Sequence, residues 1–161
     1  MSTALDFISE LSYELRATRR VIERVPTEKG EWKIHPRSSA LGHLTQLVAR
    51  MPSMMSQIVR GVDLDLAHAP PYTFESTDTL LRAFDANVEE LRTVLGAAGD
   101  ADFALNWRLL YDGQVLDTGT RKDVLRNTIN HLVHHRAQLT VYLRMIEIPV
   151  PSLYGPTADE R

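Results

Sequence analysis

The chain has 161 residues, 43% of them hydrophobic and 24% charged, and it contains no cysteine. This is the composition of one ordinary globular domain, 1–161, and it excludes a collagen-like repeat, a disordered tail, a disulfide framework and a cysteine nucleophile. The net charge of −3, from 18 basic and 21 acidic residues, argues against nucleic acid as a partner.

Residues 4–25 read as a first helix. Leu5, Ile8, Leu11, Leu15, Ile22 and Val25 recur mostly at steps of three and four. Arg16, Arg19 and Arg20 are read as a solvated face. Asp6 and Glu10 stand where a signal peptide needs an apolar core, so a cytoplasmic protein is expected. Val25-Pro26 stops the helix, because the residue before proline avoids helical backbone. A loop from Thr27 to Arg37 carries Trp32, expected to cover one end of the helices.

Ser38 or Ser39 is expected to cap a second helix, closed by Gly61. Leu41, Leu44, Leu47, Val48, Met51, Met55, Ile58 and Val59 supply its apolar residues. Pro52 should kink or split it. Residues 38–49 are the longest run free of Asp, Glu, Lys and Arg. A membrane span needs about 20 apolar residues, so no membrane association is expected.

Residues 62–76 form a long connection in which Pro70-Pro71 disfavours helix. Such a crossover lets consecutive helices run parallel. Ser76 or Thr77 opens a third helix with Leu80, Leu81, Phe84, Val88, Leu91 and Leu95 on its face, and Gly96 stops it. Residues 97–119 lack a helical period. Trp107–Leu110 and Gln114–Leu116, around Tyr111-Asp112-Gly113, predict a short hairpin. Thr120 caps the last and longest helix, to about Ile146, with Leu125, Ile129, Leu132, Leu139, Leu143 and Ile146 in one stripe. The tail from Pro149 to Arg161 orders only by packing on the body. The expected class is all-α: a four-helix bundle with a long crossover after helix two and a short hairpin before helix four.

The chemistry rests on histidines. His131 and His135 lie one helical turn apart on one face, the usual way for a helix to offer two imidazoles to a metal. His134 lies on the flank of that face. A third ligand must come from elsewhere, and His43 is the candidate, with the bland alternative of a histidine at the core edge bonded to a carbonyl. His35 and His68 read as loop residues, and Met51, Met54 and Met55 as core.

Two stretches carry a resemblance. One is Asn130-His131-Leu132-Val133-His134-His135-Arg136-Ala137-Gln138-Leu139-Thr140-Val141-Tyr142-Leu143-Arg144. The other is Ile148-Pro149-Val150-Pro151-Ser152-Leu153-Tyr154-Gly155-Pro156-Thr157-Ala158-Asp159-Glu160. With Trp32, Leu41-Gly42, Met51-Pro52 and Pro70-Pro71-Tyr72, they make nearly the whole chain resemble the DinB family (DinB/YfiT-like metalloenzymes). The helix-four and tail motifs are specific; the helix-two match is looser.

The resemblance implies an up-down-down-up four-helix bundle, a homodimer, and a divalent metal, nickel or zinc, on three histidines. Two of these match His131 and His135. The third falls on Leu47, which cannot bind a metal, and His43 is a turn earlier, about 6 Å along the axis. Two functions follow. One is a metal-dependent enzyme of the hydrolase or thiol-transferase class, using a small-molecule substrate or low-molecular-weight thiol. Its metal ligands are His43, His131 and His135, with His134 either supporting a ligand from behind or in proton transfer, and Asn127 or Asn130 orienting a ligand. The other is a metal-free binding or dimerisation module that has lost the helix-two ligand.

Overall fold

The computed structural model describes residues 2–73 and 76–161. Among them are five α-helices: α1 (Thr3–Ile22), α2 (Leu41–Arg60), α3 (Thr77–Ala97), the short α4 (Asp100–Ala104) and α5 (Arg121–Met145). Three strands accompany them: β1 (Leu64–Asp65), β2 (Asn106–Tyr111) and β3 (Gln114–Thr120). The all-α four-helix-bundle class expected from the sequence is therefore corrected. The hairpin is longer than its apolar residues indicate, and β1, from the crossover, pairs parallel to β2 to complete a mixed sheet in the order β1-β2-β3.

The sheet forms because the crossover is pinned at three points. Trp107, buried on β2, donates its indole N–H to Val62 O at 2.7 Å. Arg108 holds Asp63 through Nε (2.9 Å) and Nη2 (2.5 Å). Asp65 accepts from the Asp112 and Gly113 amides of the hairpin turn at 3.0 and 2.9 Å. That turn is an Asp-Gly pair with both residues at positive φ, 49° and 74°, whose twist suits a two-residue hairpin.

Cross-helix hydrogen bonds give the directions of the four long helices. The α1 N-terminus meets the far end of α3, where the Thr3 amide donates to Asp100 Oδ1, and its C-terminal side meets the start of α3 through Thr27 and Thr77. These two helices are antiparallel. Glu10 reaches Arg126, and Glu14 reaches Arg136, so α1 and α5 run the same way. Ser39 O accepts from Tyr142 and Val59 O from Arg121, so α2 and α5 are antiparallel. One core fills the space between them, with Phe7, Leu11, Val48, Met55, Phe84, Leu91, Leu125 and Leu132 all buried. Met51 is buried in it and Met54 packs against it. Among the described residues no helix is long and apolar enough to cross a membrane.

The start of α2 departs from the expected serine cap. Ala40 is its N-cap and makes no side-chain hydrogen bond. Instead the loop folds back, and the Leu41 and Gly42 amides donate to Trp32 O and Gly30 O at 2.9 and 2.8 Å. Backbone carbonyls thus satisfy the orphan amides that a side chain usually serves. Trp32 itself packs edge-on to Tyr142, centroids 5.6 Å apart. Pro52 does not split α2, which runs unbroken from Leu41 to Arg60. Gly61 ends it at φ +76°, its amide reaching back to Gln57 O and Ile58 O. At the next helix Gly96 is not the stop; α3 continues to Ala97.

The tail packs on α1 and α5. Arg20 and Arg24 each reach Glu160 at 2.5 Å, and Arg144 reaches Asp159 at 2.5 Å. Of the arginines read as a solvated face, Arg16 is exposed, while Arg19 pairs with Asp85 and Arg20 with the tail. Beneath the tail lies Arg136, 1% exposed. Its Nη2 contacts Glu14 Oε2 at 2.7 Å, and its Nη1 donates to Glu14 O at 3.0 Å and Thr18 Oγ1 at 3.3 Å. Tyr154 closes the group: its hydroxyl accepts from Arg136 and donates to Glu14 at 2.8 Å. Burial and the hydrogen bond to Glu14 push the Tyr154 phenol up, so it stays protonated.

Removing Arg136 strands Glu14 and Tyr154 without their partner. Arg136→Ala is expected to cost about 3 kcal/mol in denaturant unfolding, the range found when one member of a buried pair is deleted. A second expectation concerns acid. The hydrogen bond from Arg144 holds Asp159 below the usual carboxylate range, and the Ser152 amide does the same for Glu160. Their contribution to stability is present above their ordinary values, near pH 4, and is lost as pH falls through the lowered ones. Denaturant midpoints measured against pH should fall on the acid side of pH 4, less steeply in an Asp159→Asn, Glu160→Gln double variant.

Candidate metal centre

The helix-four histidines meet as the spacing requires. On α5, His131 Nε2 and His135 Nε2 lie 2.7 Å apart, and the ring centroids are 4.5 Å apart. The ring of His135 is fixed from its other side, where Nδ1 lies 2.7 Å from Gln138 Oε1. With that oxygen as acceptor, His135 Nδ1 carries the proton and its Nε2 accepts from His131 Nε2–H. Burial first, and then the neighbouring His135 and His134, lower the His131 pKa, which keeps the ring neutral at pH 7. His134 stands exposed, edge-on to His135 at 5.0 Å and 67°. Asn127 and Asn130 are exposed on the same helix.

His43 does not join the pair. Its ring lies beside Tyr72 of the crossover, centroids 6.2 Å apart. Arg50 secures that segment, donating to Pro70 O and Pro71 O at 3.0 and 3.1 Å and covering the Tyr72 ring at 5.3 Å. The register explains the separation. With Ser39 matched to Tyr142 and Val59 to Arg121, Leu47 is level with Val133, midway between the two histidines. His43 is level with Ala137, about 6 Å further on. Helical side chains lean towards their own N-terminus, so on antiparallel helices Leu47 leans towards His135 while His43 leans away. Leu47 is half-buried and packs on the core.

Among the described residues no group of three or more His, Cys, Asp or Glu is placed to hold a metal ion. The fit is therefore partial. Two imidazole Nε2 atoms 2.7 Å apart suit one side of a metal's coordination shell. Ligand bonds of ~2.0–2.1 Å require the nitrogens to spread to roughly 3.3 Å for a tetrahedral ion. A three-histidine shell is not assembled. His35 and His68 stay apart as exposed loop residues: His35 Nδ1 accepts from the Arg37 amide at 3.1 Å, and His68 lies 3.5 Å from Asp65.

Gln138 is the site residue whose role the sequence reading left unstated. Its signal was available: it stands three residues after His135, within reach on the same helix face. Its role gives a test. In nitrogen-detected NMR of metal-free protein near pH 8, His135 should appear as the Nδ1–H tautomer, and Gln138→Ala should shift it towards a tautomer mixture without unfolding the chain.

Comparison with known proteins bears on the family and the fold. The family model described as "DinB family" matches residues 1–160. The chain is 26% identical over 160 residues to the protein YrdA of Bacillus subtilis (strain 168), covering 96% of this chain and 89% of that one. It shares its fold with the crystal structure of a DinB-like protein from Bacillus cereus ATCC 10987, with a TM-score of 0.73 at 19% identity, covering 92% of this chain and 95% of that one. The DinB-like protein YjoA of Bacillus subtilis gives a TM-score of 0.68 at 14% identity, covering 97% and 99%. With a whole-chain family match, a shared fold and the paired histidines on the last helix, the chain belongs to the DinB family.

Proposed function

We propose that this protein binds a divalent late transition metal, nickel or zinc, through His131 and His135, with the remaining positions left to exogenous donors. The observation that carries the reading is the pair itself: two Nε2 atoms 2.7 Å apart on adjacent turns, with His135 held from behind by Gln138. A ligating histidine is ordinarily fixed this way through its second nitrogen. When bound, such an ion supplies Lewis-acid activation of a water or a thiol, the chemistry of hydrolases and thiol transferases. The chain's own residues hold and orient it, and exposed His134 is placed to exchange a proton at the rim. A homodimer belongs to the same reading. Val141 and Met145, one turn apart on the outer face of α5, are 53% and 58% exposed.

One observation favours the alternative, a metal-free binding or dimerisation module. Leu47 occupies the level from which a third donor would reach the pair, and His43 rests by Tyr72 instead. Metal content by plasma mass spectrometry, with titration calorimetry on untagged protein, separates the two. The expected result is about one equivalent of weakly held nickel or zinc. It should be lost in His131→Ala and in His135→Ala, and kept in His43→Ala. In Leu47→His it should be at least about tenfold tighter, since that change supplies an imidazole at the right level. No uptake by the parent, and none by Leu47→His, would leave the metal-free module.

A further inference from the structure

A cleft of about 370 Å³ lies at the N-terminal end of α5, away from the mid-helix histidines, between the ends of α2 and α3 and the start of α5. His131 is ten residues, roughly 15 Å, along the helix from Arg121. The cleft's apolar wall is Val59, Val94, Ala97 and Ala98, and Arg60, Thr93, Asp102 and Arg121 supply its polar groups. A volume of this order suits a small organic molecule.

Most of those polar groups are already engaged. Arg60 pairs with Glu90. Thr93 donates to Glu89 O at 3.0 Å, and Asp102 Oδ2 accepts from the Gly99 amide at 2.9 Å. Arg121 differs. Its Nη1 donates to Val59 O at 3.1 Å, and no carboxylate pairs with it among the described residues. Its Nε is buried and has no hydrogen-bond partner. A buried donor without an acceptor is rare and calls for an explanation.

Two further observations describe where the guanidinium lies. Arg121 and Lys122 open α5, where the helix dipole favours acidic residues. Gly61 makes room for it: a Cβ there would lie 2.0 Å from Arg121 Nη2.

We propose that this cleft binds a short-chain carboxylate. Its anionic group is received by Arg121 and satisfies Nε, and its alkyl body lies against Val59, Val94 and Ala98. A guanidinium with no carboxylate partner among the described residues matches a monoanion, and Asp102 at the cleft disfavours a dianion such as phosphate. Because Nε is covered in the free chain, binding requires a small rotation of the guanidinium.

The test is an NMR titration that follows the Arg121 Nε–H signal and the amides of Ala97 and Ala98. The probes are isobutyrate, its neutral isostere isobutyramide, and inorganic phosphate. Isobutyrate should give a saturable shift at about millimolar concentration. Isobutyramide and phosphate should bind at least about tenfold more weakly. Arg121→Gln should abolish the amide shifts, and Ala98→Leu, which fills the cleft and leaves Arg121 in place, should abolish the Nε–H shift. Absence of a saturable isobutyrate shift overturns the proposal. So does an equal response to isobutyramide, or an undiminished response in Ala98→Leu. Should Arg121→Gln fail to fold by circular dichroism, the isobutyramide and Ala98→Leu arms decide alone.

Discussion

The rotation of the helix that carries the histidine pair is held by one buried cation. Arg136 is held by the Glu14 carboxylate, the Glu14 carbonyl, Thr18 and Tyr154, and this fixes the rotation of α5 against α1. Successive residues on an α-helix turn by about 100°, so a guanidinium locked inward at position 136 places its predecessor at the edge of the core. His135 is accordingly half-buried, and His131 and His134 stand further out. A buried charge with this many partners has few alternative placements, because moving it leaves several groups unsatisfied at once. The tail shares in this constraint, since Tyr154 belongs to it and Leu153 O accepts from Tyr13 on α1.

The four long helices were legible because each repeats apolar residues at helical spacing over five turns or more. What escaped was short or externally supported. β1 has two residues, too few for any period, and is defined by the partners of Asp63, Asp65 and Val62 rather than by its own side chains. α4 has five residues between two longer elements. Ala40 has no capping side chain, so nothing near it in sequence announces the start of α2; the acceptors are carbonyls some ten residues upstream. Pro52 is tolerated inside a helix whose neighbouring turns are fixed by core packing on both sides of it.

For the site, the legible part was intrahelical. An i, i+4 histidine pair declares its own geometry, and Gln138 follows the same rule one step on. The interhelical part was not legible from spacing, and the offset of His43 came only with the family resemblance, because it depends on the α2–α5 register, which is set by contacts distant in sequence, Ser39 with Tyr142 and Val59 with Arg121. Spacing along one helix says which residues share a face. It does not say at what height a neighbouring helix presents them.

The small sheet has a mechanical consequence. β1 follows closely on the last residue of α2, and β3 leads directly into the first residue of α5. Parallel pairing of β1 with β2, and antiparallel pairing of β2 with β3, couple those two helix ends through a continuous hydrogen-bonded ladder. Sliding α2 past α5 by one turn would shear that ladder as well as the core. The pair of helices is therefore stiff in the one direction that would carry His43 down to the level of Leu47. If the histidine pair binds a metal as proposed, a third donor would come from a substitution at position 47 or from a molecule in solution, because a slide of α2 that brought His43 to that level would break the ladder.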